Sequence, residues 1–394
     1  MKILVIHNFH RKGSASGDDQ VYKEETRLLE EHGDKVIRYD VSNDEFDSAS
    51  FFKKIILTFG MLWSFKNYKA VSSLIKAEMP DIVHIHTFFP LLSSSIFYAA
   101  KRCNIPVVAT LHDTRLVCPC ATSLRDNKLC NACGDGHYLK MCKYRCFKGS
   151  YLQSLFVALI FKYHRLRRSF YDQIDKYICL NDSQIQLLEK IGFDKNKITK
   201  KYNFVPEIDV NEEMVKELPE RYVVFYGRIG EEKGIRALMQ IWDNPLIDKI
   251  PLVIMGSGPL EEEFRRWADN KYNVYYLGYT QRDKCLGIVK NSEFVVFPSI
   301  WYEGCSMVVI EAESLGKALI ATDIGFASEA IKDGINGYKA SLNDVNGFVH
   351  AIKNLWEQPE KCSELGLNAR QEYKAKYVPE DNYKQLMSIY RSLM

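Results

Sequence analysis

Two successive series of short apolar runs, each separated from the next by an amphipathic segment, limit this chain to one broad class of fold. The sequence predicts strands at residues 2–7, 35–40, 81–86, 107–111 and 177–180, with helices at 19–31 and 183–190 among them. The rhythm restarts with strands at 222–227, 252–256, 274–278, 294–298 and 318–322. Strands joined through helices pair in parallel, because each right-handed crossover brings the chain back in the same direction. The expectation is an α/β protein with two doubly wound parallel sheets, ligands lying at the carboxyl ends of strands and in a cleft between domains. Pro206, Pro219 and several acids interrupt the pattern at 201–219, so the domains are set at 1–204 and 205–375. No short-period repeat is visible.

At about 150 residues per domain, 394 residues suit two large domains and exclude a single small binding module. Hydrophobic residues make up 46% and charged residues 26%, which excludes disordered and fibrous classes. A net charge of +3 gives no bulk attraction to nucleic acid, so any basic function is local. The apolar run at 1–6 is too short for a signal peptide, and the stretches at 55–63 and 155–161 are about half of a bilayer span. With no export signal, the 11 cysteines are expected as thiols or metal ligands, a cytoplasmic reading.

Each half carries a loop after its first strand. Gly13-Ser14-Ala15-Ser16-Gly17 has small residues that let backbone N–H groups approach a ligand, and equally suits a plain strand-to-helix turn. In the second half, Gly227-Arg228-Ile229-Gly230-Glu231-Glu232-Lys233-Gly234 sets two cations between a strand and a helix, where they suit a diphosphate. Standing alone it would read as a solvated surface pair. The segment 297–312 says more: a strand ends at Pro298, a loop carries Glu303 and Gly304, and a helix starting near Ser306 carries Glu311. Glu303 can accept hydrogen bonds from sugar hydroxyls, the N–H groups of Cys305, Ser306 and Met307 can meet a phosphate, and Glu311 can hold a ribose diol.

Within this strand, loop and helix, Glu303 and Glu311 make the sequence resemble the family 4 retaining glycosyltransferases, whose two Rossmann-like domains face a cleft in the GT-B fold. The resemblance runs through nearly the whole chain and includes Met255-Gly256-Ser257-Gly258-Pro259-Leu260, Leu277-Gly278, Gly316, Thr322-Asp323-Ile324-Gly325 and Asp333-Gly334-Ile335-Asn336-Gly337, in the same order. It implies that domain 1–204 binds acceptor and 205–375 binds a nucleotide-sugar donor, with a last helix at about 376–394 packing back on the first domain. By the same likeness Arg228 and Lys233 bind the donor diphosphate, Glu303 the transferred sugar, Glu311 the ribose, and the loop at 277–279 the base, beside Gly17, Gly227, Gly256, Gly278 and Gly304. The cations stand in for a metal, so no cofactor is needed for the chemistry. Leu111-His112-Asp113 is similar to the family's His-Asp position and puts His112 at the sugar or reacting centre; a structural histidine is the alternative. His84 and His86, two apart on one strand, are given no chemistry. The family's front-side attack uses the leaving diphosphate as base, so no nucleophile is named.

Six cysteines fall in 118–146, within a segment at about 115–148 that resembles a cysteine-bearing insertion in a subset of polysaccharide-building family 4 enzymes. Cys130-x-x-Cys133 with Cys142-x3-Cys146 and an upstream Cys118 has the spacing of a four-thiolate structural zinc site, with Cys118, Cys130, Cys133 and Cys146 as the candidate ligands; free thiols or a disulfide are the other readings. Residues 51–76 hold five Lys and no acid, and residues 140–168 hold eight basic residues and no acid, both interleaved with aromatics. Such stretches suit an anionic membrane surface. Packed helices with solvated basic faces are the alternative. The expectation is therefore a peripheral enzyme on the inner face of the cytoplasmic membrane, moving sugar from a nucleoside-diphosphate sugar to a lipid-linked saccharide in capsule, O-antigen or exopolysaccharide synthesis. Nucleic acid is not an expected partner. A nucleotide-sugar epimerase or hydrolase, or a non-catalytic nucleotide-sugar-binding protein, are the alternatives.

Overall fold

Ile3, Leu4, Val5 and Ile6 are completely buried, as are Val107 and Val108 in the first series and Val223 and Val224 in the second. Strands covered by helices on both faces read as such continuous apolar runs. In the computed structural model, which describes residues 1–11, 16–126, 128–210 and 218–394, the runs build two separate six-stranded sheets. The first series comprises β1 (Lys2–Phe9), β2 (Lys35–Ser42), β3 (Ile82–Ile85) and β4 (Val107–Leu111). A short hairpin, β5 (Leu124–Arg125) and β6 (Lys128–Leu129), precedes β7 (Lys176–Cys179) and β8 (Ile198–Lys200). The second series is β9 (Val223–Tyr226), β10 (Leu252–Met255), β11 (Val274–Tyr276), β12 (Val295–Phe297), β13 (Leu319–Thr322) and β14 (Gly337–Ala340).

The sheet orders are β2-β1-β3-β4-β7-β8 and β11-β10-β9-β12-β13-β14, with parallel pairing throughout both. The winding direction reverses between β1 and β3 in one sheet and between β9 and β12 in the other. The crevice beyond the carboxyl ends at such a reversal is where open α/β sheets bind ligands. Each sheet carries its own core, built around Leu4, Val83 and Phe97 in one and Phe225, Ile254 and Phe294 in the other. Each such buried side chain contributes about 1.5–3 kcal/mol. The chain divides into two compact units, Met1–Ser123 with Cys130–Asn203 and Glu380–Met394, and Phe204–Pro379 with Leu124–Leu129.

Four strands were not expected from sequence: the hairpin pair β5 and β6, and one strand at an edge of each large sheet. β8 is three half-exposed residues, and β14 reads Gly-Tyr-Lys-Ala, so neither carries an apolar run. The helix expected at 19–31 starts earlier, at Gly17, because the Ser16 side chain accepts from the Asp19 N–H and Asp18 and Asp19 complement the first turn. Gly13, Ser14 and Ala15 of the first loop, and 211–217 of the expected junction, lie outside the described residues.

Candidate active site

Because β9 and β12 pair through Val224 and Val295, the loops leaving their carboxyl ends start side by side. Glycine lets them touch: a Cβ on Gly234, which has φ +72°, would lie 1.9 Å from the Pro298 carbonyl oxygen. The Ile300 N–H donates to the Glu232 carbonyl at 3.0 Å, and the Ser299 hydroxyl oxygen lies 3.1 Å from the same carbonyl, which pins one loop to the other. Lys233 is thereby delivered to Glu303, its Nζ 2.5 Å from Oε1. The same oxygen accepts from Trp301 Nε1 at 2.5 Å and from the Ser299 hydroxyl at 2.9 Å. The ammonium also lies 5.6 Å from the ring centres of Phe297 and Trp301, so its position is fixed from several sides. Arg228 is exposed, with Nε 3.5 Å from Glu232.

The helix Met307–Ser314 begins after Ser306, which puts Cys305, Ser306 and Met307 at its N-terminus and Glu311 in its buried face. Burial pushes the Glu311 carboxyl above its ordinary range, and Arg282 opposes this with Nη1 2.5 Å from Oε1. Gly278 accepts the Gly256 N–H at 2.8 Å, and neighbouring Leu277 is partly exposed. Gly227, Arg228, Lys233, Gly256, Leu277, Gly278, Glu303, Gly304, Cys305, Ser306, Met307 and Glu311 thus stand on loops and helix starts beyond the carboxyl ends of β9, β10, β11 and β12. Sequence reasoning missed Arg282, Trp301 and Ser299, which become partners of the two glutamates only through the fold.

In the other unit, His86 and His112 directly follow or nearly follow adjacent strands β3 and β4, and line a pocket with Thr87, Thr110, Asp113 and Arg115. Their rings stack at 5.3 Å, with His86 Nδ1 3.1 Å from His112 Nε2. Behind them Glu25, on the helix Gly17–Glu31, has Oε1 3.1 Å from His86 Nε2 and 3.1 Å from His84 Nδ1, and Oε2 3.0 Å from Lys201 Nζ. Burial alone would raise the Glu25 carboxyl, but Lys201 and the two histidines hold it well below the usual carboxylate range. Burial pushes His86 down to about 4 and His112 down to about 3. Gly17 stands at the exposed start of the same helix. Among the described residues, Glu25, His84 and His86 are the one set of three ligand-type side chains whose donor atoms lie within 4.8 Å of one another. The Lys201 ammonium already supplies the positive charge that a metal ion would bring to this carboxylate.

Two family models match the chain in tandem: "Glycosyltransferase Family 4" over residues 26–207 and "Glycosyl transferases group 1" over residues 209–372. The chain belongs to the family 4 glycosyltransferases. It is 26% identical over 179 residues to the O-antigen chain mannosyltransferase C of Escherichia coli, covering 44% of this chain and 47% of that protein. It is 25% identical over 322 residues to the UDP-Gal:alpha-D-GlcNAc-diphosphoundecaprenol alpha-1,3-galactosyltransferase of Escherichia coli, covering 78% and 75%. The chain spans about half the length of several curated relatives it matches. The crystal structure of Anabaena Alr3699/HepE in complex with UDP-glucose matches 100% of both chains with a TM-score of 0.67 at 16% identity, a likeness of fold, which is GT-B.

The cysteine loop and the two basic stretches make contacts that their sequence spacing does not show. Cys118, Cys130, Cys133 and Cys146 do not form a converged ligand set by the same 4.8 Å measure, and Cys120 competes by hydrogen-bonding Cys146. None of the cysteines is joined in a disulfide. The basic stretches are also not uncompensated: Glu45 lies 3.2 Å from Lys53 and 3.3 Å from Lys66, and Arg168 lies 3.3 Å from Asp172. These acids lie outside the stretches and reach them only in the fold. Among the described residues no helix is long and apolar enough to cross a membrane.

Proposed function

We propose that this chain transfers a sugar from a nucleoside-diphosphate sugar to a lipid-linked saccharide acceptor, with retention of anomeric configuration, in surface-polysaccharide assembly. The observation that carries the reading is the meeting of Lys233 and Glu303 at the strand-order reversal of the second sheet. In this reading Phe204–Pro379 takes the donor and the unit holding His112 takes the acceptor. The ammonium of Lys233, shared between Glu303 and a phosphate, and the exposed Arg228 neutralise the charge that develops on the departing diphosphate, where such stabilisation counts most. Glu303 accepts from hydroxyls of the transferred sugar. Ser306 and Met307 offer N–H groups to phosphate, Glu311 takes the ribose diol once Arg282 yields it, and residues 277–279 hold the base. His112 meets a hydroxyl of a bound sugar. The names of relatives and neighbours support this reading: one is a UDP-galactose enzyme acting on a diphosphoundecaprenol, another was crystallised with UDP-glucose.

The test is transfer from a panel of nucleotide sugars to extracted lipid-linked saccharides, with the product's anomeric configuration read by NMR. Glu303→Gln keeps the shape and removes the charge, and is expected to lower turnover about 10²–10³-fold. Undiminished turnover in that variant would sink the assignment, and an inverted product would sink retention.

The cysteine loop is proposed to hold a structural zinc ion. Its soft donors suit the metal, and burial together with neighbouring thiols pushes Cys133 up to about 12, a repulsion that a dication relieves. The sulfurs would have to close together around it. Metal analysis should find about one zinc per chain, and metal-free protein with all thiols titratable would refute the site.

A membrane surface is proposed on the same unit as His112. The helix Phe51–Gly60 buries none of its residues, and Phe52 is 77% and Ile56 70% exposed. Phe59 meets Phe156 at 6.0 Å, which joins this face to the helix Tyr151–Leu166, where Leu152 and Leu166 are exposed too. Exposed aromatics among lysines and arginines suit an anionic bilayer surface.

A further inference from the structure

His112 does not stand alone at the end of β4; it is the outer member of a buried row that starts at an ion pair. A carboxylate only accepts hydrogen bonds, so at 3.1 Å from Glu25 Oε1 the Nε2 of His86 must carry its proton. Burial keeps His86 neutral over the physiological range, which leaves its Nδ1 bare. That bare nitrogen lies 3.1 Å from His112 Nε2, so His112 Nε2 must be the donor. His112, neutral for the same reason, then has its lone pair on Nδ1. The charged and titratable groups around the row are Lys201 and His84 against Glu25, His7 and His84 against His86, and Asp18, His7 and Glu25 around His112. Asp18 is the group nearest the lone pair, with Oδ1 3.9 Å from His112 Nδ1.

We infer that Glu25 and His86 are positioning residues that fix His112 as the Nε2–H tautomer, so that its Nδ1 serves as a hydrogen-bond acceptor for a sugar hydroxyl. The inference rests on the proposed role of His112 in sugar binding, and adds what that role is chemically: an acceptor, with Asp18 placed to stabilise the ring if it takes up a proton at Nδ1. A hydroxyl-bearing ligand therefore donates to His112, and a carbonyl or ether oxygen at the same point would meet a lone pair. Lys201 keeps Glu25 ionised, and Asn382, 2.8 Å from Lys201 Nζ, holds the ammonium in turn. The direction of every proton in the row follows from that one ion pair.

The test is the imidazole ¹⁵N spectrum of the full chain labelled in histidine, with the His112 signals assigned by their loss in His112→Gln. Wild type should show a bare Nδ1 and a protonated Nε2 on His112, unchanged from pH 5.5 to 8. Glu25→Gln turns an acceptor into a side chain that can donate to His86; the row should then reverse, and the His112 proton should move to Nδ1. A protonated Nδ1 in wild type overturns the inference. So does an unmoved His112 tautomer in a Glu25→Gln protein that melts cooperatively. Should that variant fail to fold, the wild-type spectrum alone decides. Because the spectrum reads the tautomer without turnover, it stands apart from the sugar-binding reading, which fails instead if His112→Gln transfers sugar at the wild-type rate.

Discussion

Gly234 shows how a single side chain's absence sets the chemistry. Its left-handed φ of +72° and the Pro298 carbonyl against it leave no room for a Cβ, and the next residue back is Lys233. Gly234→Ala forces strain and a backbone clash together, each costing on the order of 1–3 kcal/mol. A calorimetric melt is expected to fall by several degrees, with loss of activity beyond what the stability change explains. An unchanged melting temperature would mean that the two loops are not held together through this contact. Lys233 and Glu303 were legible in the sequence because chemistry-bearing residues flank glycines at the ends of apolar strands. Arg282 and Trp301 were not, since nothing in their spacing tells which carboxylate they will meet. Glu25 left one trace, a carboxylate on the apolar side of a helix that also buries Val21, Leu28 and Leu29.

At the scale of elements, the strands were the easiest to read because each buried run is apolar on both faces. β8 and β14 escaped because edge strands need fewer apolar residues: Gly337 in β14 packs so closely that a Cβ would lie 2.2 Å from the Leu319 carbonyl oxygen. The helix Phe51–Gly60 carries the opposite lesson. Its sequence left a membrane-facing stretch and a packed helix both open, and the fold leaves its apolar residues outside the core. Since Phe52 and Ile56 make no core contact, replacing both by Ser should leave the melting temperature in place. Each side chain withdrawn from a bilayer surface forfeits about 1.5 kcal/mol or more, so binding to anionic vesicles should weaken at least about tenfold. Equal sedimentation with vesicles before and after the change would remove the membrane surface from the account.

Over the whole molecule, the two sheets repeat one plan: a reversal of strand order, and beside it the polar groups that strand-end loops bring together. In one unit these are Lys233 and Glu303, in the other His86 and His112. The fold class could be read from the order of motifs along the chain, and so could the strand-end loops that carry Lys233 and Glu303. The row from Glu25 to His112 could not, because its members come from three elements far apart in sequence. The central claim is that Lys233 and its neighbours bind a nucleoside-diphosphate sugar. It is tested most directly by thermal unfolding of wild type and Lys233→Ala against a panel of nucleoside diphosphates and their sugar conjugates. A ligand at one hundred times its dissociation constant stabilises the folded chain by about 2.7 kcal/mol. A clear rise in melting temperature is expected for wild type with at least one nucleotide sugar, and little or none for Lys233→Ala. No rise with any of them, or the same rise in both proteins, would contradict it.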